Sequence, residues 1–135
     1  MRKLIATEFV SVDGVMGEPQ NWTAAYFSPE MGEYRHKELF ASGALLLGRV
    51  TYDSFADVWP ARPGLDRGEQ AYADRLNSMP KYVVSQSMET AEWENTSVIN
   101  DDVEAAVAAL KTEDGQDILI HGSATLVNYL LNAGL

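Results

Sequence analysis

Two short stretches, far apart in the chain, place glycine and hydroxyl side chains directly after an apolar run. The pattern is typical of a strand that turns into a helix, and the free N–H groups and positive dipole end of a helix N-terminus favour anions. Two such junctions indicate a ligand with two phosphate groups. The residues are Gly48, Arg49 and Thr51 in the first junction and Gly122, Ser123 and Ala124 in the second.

Each residue type contributes something different to such a site. Gly48 allows a close approach of the backbone, Arg49 supplies a cation, and Thr51 can cap a helix while donating to a phosphate oxygen. Either junction alone is also consistent with a simple chain reversal in an α/β domain. Neither matches the P-loop or the Gly-x-Gly-x-x-Gly pattern, so nucleotide hydrolysis and the common dinucleotide-binding fold both lose support.

The composition limits the classes of partner. The 135 residues predict one domain over 1–135, and the net charge of −10 disfavours nucleic acid and anionic membrane surfaces. The chain has no cysteine, no signal peptide and no apolar run long enough to span a membrane, so we expect a cytoplasmic protein. The two histidines, His36 and His121, lie far apart without a cluster of ligands, so no metal site is expected.

Strands and helices alternate along the chain. Helices are predicted from Ser28 to about Gly43, from Thr51 to Val58, from Glu69 to Asn77, after Asp101 and after Ser123. The alternation predicts an α/β fold with a mostly parallel central sheet that has helices on both faces. The predicted strands are Leu4–Val12, Ala44–Leu47, Lys81–Ser85, Thr96–Ile99 and Ile118–Ile120.

The order of the motifs resembles that of a known superfamily. Ser11 to Gly14, Leu45 to Tyr52, Val58 to Pro60, Tyr82 to Ser85 and His121 to Ala124 occur in the order found in dihydrofolate reductase-like proteins. The chain is most similar to the C-terminal reductase domain of bacterial riboflavin biosynthesis, and the likeness covers nearly all of it. The resemblance implies the three-layer fold of that superfamily.

The resemblance also implies a cofactor and a reaction. It implies that NADPH binds across the carboxyl ends of the central strands and that hydride is transferred to a pterin-like or ribosylamino-pyrimidine-like substrate. Gly48, Arg49 and Thr51 match the contacts to the pyrophosphate and adenosine side, and Ser85 matches the residue near the adenosine ribose or its 2′-phosphate. Gly122, Ser123 and Ala124 match the second phosphate cradle, and Ser11 and Asp13 match the element beside substrate and nicotinamide.

The chain departs from its relatives at two places. Gln86 stands where relatives often carry a basic residue, so NADH is not excluded as the cofactor. The sequence stops at Leu135, before the closing strands of the superfamily, and we expect a C-terminally truncated domain. The alternative is that other segments or another copy of the chain cover the sheet edge, because an exposed edge would be a site of association. A homodimer is expected from the resemblance alone.

The proton that accompanies hydride transfer needs a donor. Asp13 is the first candidate and Glu30 the second, although Asp13 before Gly14 is also an ordinary turn residue and Glu30 also suits the positive end of a helix. Trp22 could stack on a flat substrate. A module that binds a dinucleotide or another phosphorylated ligand without turnover is the alternative function. A flavin-binding α/β protein is a more distant one, because Asp13 would repel a phosphate after the first strand.

Overall fold

A computed structural model describes all residues from Met1 to Leu135, and its centre is one five-stranded sheet. The strands lie in the order β1-β5-β2-β3-β4, and every neighbouring pair is parallel. The predicted α/β fold is confirmed. The strands are β1 (Leu4–Thr7), β2 (Ser42–Gly48), β3 (Lys81–Val84), β4 (Thr96–Ile99) and β5 (Asp117–His121).

Five helices connect and follow these strands. Those that pack through Leu39, Tyr52 and Leu76 cover one face, and those that pack through Val107 and Leu126 cover the other. Parallel neighbours require such crossovers, and burial on both faces accounts for the apolar run in β2. The helices are α1 (Pro29–Phe40), α2 (Arg49–Val58), α3 (Arg67–Ser78), α4 (Val103–Thr112) and α5 (Ala124–Asn132).

The two faces hold separate hydrophobic cores, because successive side chains of a strand point to opposite sides. Along β2, Leu45 and Leu47 belong to the core beneath α1, α2 and α3, whereas Ala44 and Leu46 belong to the core beneath α4 and α5. None of the helices is long and apolar enough to cross a membrane.

The largest correction to the predicted elements concerns the first strand. It ends at Thr7 and does not continue to Val12. β1 is an edge strand, and its last hydrogen bond to the neighbouring chain segment runs from the Gly122 N–H to the Thr7 carbonyl, at 3.0 Å. Beyond that point no neighbour holds the chain extended, and it runs through two short 3-10 turns, Pro19–Asn21 and Ala24–Tyr26, before α1.

Candidate functional site

The carboxyl ends of β2 and β5 form the crevice in which ligands of open α/β sheets bind. The two strands are neighbours in the sheet, yet α2 packs on one face through Tyr52 and α5 on the other through Leu126. The chain therefore leaves the sheet in opposite directions at adjacent strand ends, the arrangement that in open α/β sheets places the binding crevice between them.

The two predicted junctions contact each other in this crevice. The Gly48 N–H donates to Ser123 Oγ at 2.9 Å, and Ser123 Oγ donates to Thr51 Oγ1 at 2.9 Å. A Cβ atom on Gly48 would lie 3.1 Å from Ser123 Oγ and 3.3 Å from Ser123 Cβ, so a side chain here would require Ser123 to move by a few tenths of an ångström. Three of the seven predicted cofactor residues are thus joined, namely Gly48, Thr51 and Ser123.

The N-termini of α2 and α5 differ from those of the other helices. Neither has a side-chain cap or an acidic residue in its first turn. In α1, α3 and α4 the side chains of Ser28, Asp66 and Asp102 accept from the first turn, and each first turn also carries a glutamate. The crevice is therefore lined by the two helix ends whose positive dipole is not offset by a side-chain oxygen.

Both hydroxyls that were expected to cap these helices do something else. Thr51 lies inside α2, whose N-cap residue is Gly48, and Ser123 occupies the N-cap position of α5 without bonding its first turn. The prediction that Thr51 caps the helix is wrong, because the helix begins two residues earlier. Ser123 reaches back to Gly48 and Thr51, and the first N–H groups of both helices keep no side-chain partner.

Arg49 extends from the start of α2 towards the end of β3. Its guanidinium donates through Nη1 to Ser87 Oγ and through Nε to Asp53 Oδ2 at 3.4 Å. Ser85 is buried and its Oγ accepts from the backbone N–H groups of Ser87, at 3.4 Å, and Met88, at 3.3 Å. Ser87, which the sequence analysis did not single out, thus links Arg49 to the predicted Ser85.

Ser11 and Asp13 form an exposed turn beyond β1. Ser11 Oγ donates to Asp13 Oδ1 at 2.6 Å and accepts from the Val15 N–H at 2.8 Å. This hydrogen bond from Ser11 is the main reason that the pKa of Asp13 lies below its usual value, so Asp13 is ionised at neutral pH. Trp22 lies in the same loop, half-buried, and its ring N–H donates to the Gly17 carbonyl at 3.0 Å.

Glu30 lies exposed in the first turn of α1. Hydrogen bonds from its own backbone N–H and from Ser28 lower its pKa, so it too is ionised at neutral pH. Both predicted proton donors thus share an environment that favours the carboxylate.

A second polar cluster, missed in the sequence analysis, lies where β1 and β5 end. Arg35 of α1 donates to His121 Nδ1, and its guanidinium lies 4.9 Å from the centroid of the Phe9 ring. Burial, assisted by the positive charge of Arg35, lowers the pKa of His121 to about 3. Because arginine can only donate, the neutral imidazole carries its proton on Nε2, a buried atom without a partner.

Glu8 belongs to the same cluster. It follows β1, and its Oε1 atom is buried without a hydrogen-bond partner. Burial raises the pKa of Glu8, against the opposing effect of Arg35. The signal in the sequence was a single charge within an apolar run, which does not by itself distinguish a buried carboxyl from an exposed one.

Comparison with known proteins decides the family. The model of the RibD C-terminal domain matches residues 2–135. The chain belongs to that family. It is therefore a reductase-like domain, and the resemblance noted in the sequence is confirmed.

Individual relatives agree with this assignment. The chain is 28% identical over 136 residues to the uncharacterized protein YyaP of Bacillus subtilis strain 168, covering 99% of this chain and 70% of that protein. A crystal structure named "Putative riboflavin biosynthesis protein" from Shewanella sp. PV-4 is similar with a TM-score of 0.65 and 17% identity, covering 100% of this chain and 72% of that one. At this identity the structural likeness shows the shared fold.

Proposed function

We propose that this domain is an NADPH-dependent reductase that transfers hydride to a small pterin-like or ribosylamino-pyrimidine-like heterocycle. The observation that carries the proposal is the pair of adjacent helix N-termini without side-chain caps, α2 and α5, in the crevice between β2 and β5. Membership of the RibD C-terminal domain family supports the reaction class.

The residues of the crevice fit a dinucleotide. A diphosphate needs several N–H donors and little bulk. The first turns of α2 and α5 offer the donors, and Gly48 and Gly122 add no side-chain bulk. The overall net charge of −10 opposes an anion at long range, so local donors have to hold it. Ala124, the first residue of α5, contributes its backbone N–H to this cradle.

The adenosine end would lie where β3 ends. Arg49 and Ser87 present a guanidinium and a hydroxyl beside the buried Ser85, a combination suited to a ribose 2′-phosphate. This local cation favours NADPH over NADH, although Gln86 adds no second one.

The bound cofactor would supply the hydride, and the chain's own residues would bind, orient and shield the reacting groups. Ser11, Asp13 and Trp22 lie in the loop after β1 and would contact the heterocycle from that side. A hydrogen-bonded carboxylate such as Asp13 can accept from ring N–H or amino groups, so at neutral pH it is better suited to orienting the substrate than to protonating it.

Binding without turnover is the second candidate function. The observation that favours it is the lowered pKa of both predicted proton donors, Asp13 and Glu30, which leaves them without a proton to give at neutral pH. The binding module and the reductase share the same phosphate cradle, so only turnover separates them.

Titration with NADPH and NADH tests the proposal. Trp22, Trp59 and Trp93 provide intrinsic fluorescence, and energy transfer to the reduced nicotinamide reports binding directly. We expect saturable binding of NADPH, tighter than that of NADH, and oxidation of NADPH when 7,8-dihydropterin or a ribosylamino-pyrimidine is added. Absence of saturable binding by the folded protein would refute both functions, and binding without oxidation would favour the binding module.

A homodimer is also part of the proposal. Sedimentation velocity over a range of protein concentrations tests it, with a monomer throughout as the contrary result.

A further inference from the structure

One carboxyl group at the edge of the crevice has no part in the cofactor cradle. Glu8 directly follows Thr7, the last residue of β1, and its Oε1 atom is buried without a partner. Buried polar atoms in native proteins nearly always have a hydrogen-bond partner, so an unpartnered carboxyl oxygen requires an explanation. A ligand that completes the bond is one such explanation.

The other oxygen of Glu8 lies close to the cradle. It is 3.9 Å from the position that a Cβ atom on Gly122 would occupy, and Thr51 Oγ1 is 3.5 Å from the same point. Gly122 has φ +58°, a conformation that residues other than glycine rarely adopt. No side chain at this position therefore fills the space. Glu8 and the hydroxyl of Thr51 thus border one space above the carboxyl end of β5.

The charged surroundings of Glu8 favour its protonated form. Arg35, which approaches from α1, directs its guanidinium to His121 of β5, and Glu8 is in none of the three ion pairs of the structure. His121 is buried and neutral, so Arg35 is the neighbouring charge. Burial raises the pKa of Glu8 despite Arg35, the reverse of the shifts at Asp13 and Glu30.

We infer that Glu8 is the proton donor of the proposed reduction. The inference rests on the proposed function. At a C=N bond of the proposed heterocycle, hydride from the reduced nicotinamide would add to carbon, and the proton of the Glu8 carboxyl would add to nitrogen. The products are the amine, the oxidised nicotinamide and the Glu8 carboxylate, which takes up a proton from solvent.

Carbon-13 NMR of protein labelled at the glutamate carboxyl tests this inference. The Glu8 resonance is assigned by its loss in Glu8→Gln. We expect it to titrate above the usual range of glutamate, and to shift when the protein is saturated with NADPH. Titration in the usual range, or a resonance that does not respond to bound NADPH, would overturn the inference.

Glu38→Gln is the matched control. Glu38 also has a buried oxygen without a partner, but it lies near the C-terminus of α1, where its carbonyl accepts from Ser42 Oγ at the amino end of β2. If the shift of the Glu8 resonance reports NADPH binding in the crevice, the Glu38 resonance does not shift with NADPH. A shift of equal size at Glu38 would identify a global change and overturn the assignment.

Turnover supplies a second test with 7,8-dihydropterin and a ribosylamino-pyrimidine as the probes. We expect Glu8→Gln to bind NADPH within about threefold of the wild-type affinity but to lose about 10²- to 10⁴-fold in kcat/KM, together with the alkaline decline of its pH profile. Wild-type turnover in Glu8→Gln would refute the inference while leaving the proposed reductase intact. Absence of NADPH binding by the wild type would refute the proposed function. If neither probe is reduced, the response of the Glu8 resonance to bound NADPH decides.

Discussion

Arg49 is the residue on which cofactor selectivity depends in the proposed site. It joins Ser87 at the end of β3 while its Nε contacts Asp53 one turn further along α2, so the guanidinium is held across the strand ends. An arginine fixed in this way recognises a phosphate through two parallel hydrogen bonds, which a lysine cannot reproduce.

Removal of that guanidinium should affect the two cofactors unequally. We expect Arg49→Ala to weaken NADPH binding by about tenfold or more and NADH binding by much less, because only NADPH carries the 2′-phosphate. Fluorescence titration of both cofactors measures the ratio. Arg62→Ala is the control, since Arg62 is exposed and lies over the ring of Trp59, 5.0 Å from its centroid. Equal losses for NADPH and NADH would show that Arg49 does not contact the 2′-phosphate.

At the scale of elements, the periodic and apolar parts of the chain were predictable, whereas the start of α2 was not. β2 lies within about two residues of its predicted bounds, because burial on both faces leaves a continuous apolar run. β4 has the bounds that its β-branched residues predicted. The start of α2 was missed, since the propensity of Thr51 for an N-cap position carries no information about Ser123, 72 residues away, to which its hydroxyl bonds.

The candidate site divides in the same way. Gly48, Gly122 and Ser123 were identified because glycine and serine at a strand end have a local meaning. Glu8 was overlooked because its raised pKa comes from burial in the folded chain, where Arg35, distant in the sequence, is a neighbouring charge. Whether a charge in an apolar run is a proton donor is decided by such long-range packing, which a single sequence does not encode locally.

The contact between the α2 and α5 junctions has a testable consequence for stability. Gly48 has φ −75°, which alanine adopts without strain, so Gly48→Ala acts in the folded state through the close approach of its Cβ to Ser123, 3.1 Å from Oγ and 3.3 Å from Cβ. We expect a loss of about 1 to 3 kcal/mol in the free energy of unfolding and weaker NADPH binding. Urea unfolding and fluorescence titration measure the two effects.

Gly17→Ala is the matched substitution, since nothing lies within 4 Å of the Cβ that it adds. It should leave both the free energy of unfolding and the affinity for NADPH nearly unchanged. Wild-type values for Gly48→Ala would mean that the two helix N-termini move apart without cost, which contradicts a rigid diphosphate cradle.

At the scale of the whole molecule, the buried polar cluster links the sheet to α1 and makes its stability depend on pH. His121 is fully buried at the end of β5, with Arg35 donating to its Nδ1 and the ring of Phe55 of α2 beside it, 5.8 Å between ring centroids. A proton on Nδ1 would remove the acceptor for Arg35 and place two cations in contact. Acid should therefore loosen α1, α2 and β5 together.

The sign of this effect follows from the two pKa values of His121. The pKa is about 3 in the folded protein and near 6.5 in the unfolded chain, so between these values the unfolded chain binds more protons. The stabilisation is complete above pH 6.5 and is lost as the pH falls towards 3, with a slope of at most about 1.4 kcal/mol per pH unit for one proton. Glu8 contributes in the opposite sense. Its raised pKa stabilises the folded state at pH values below the pKa of the unfolded chain, and this contribution is lost as the pH rises through the raised pKa.

The difference between wild type and His121→Gln isolates the histidine from Glu8 and from the other carboxyls. Glutamine can accept from Arg35 but does not titrate, so urea unfolding from pH 7 to pH 4 should show a steeper loss of stability in the wild type than in the variant. His36→Gln, which alters the histidine stacked on Phe40 in α1, is the control for the loss of a histidine elsewhere in the chain. If the free energy of unfolding had the same pH slope in His121→Gln and the wild type, His121 would be protonated in the folded protein as in the unfolded chain. The contact with Arg35 would then not keep it neutral.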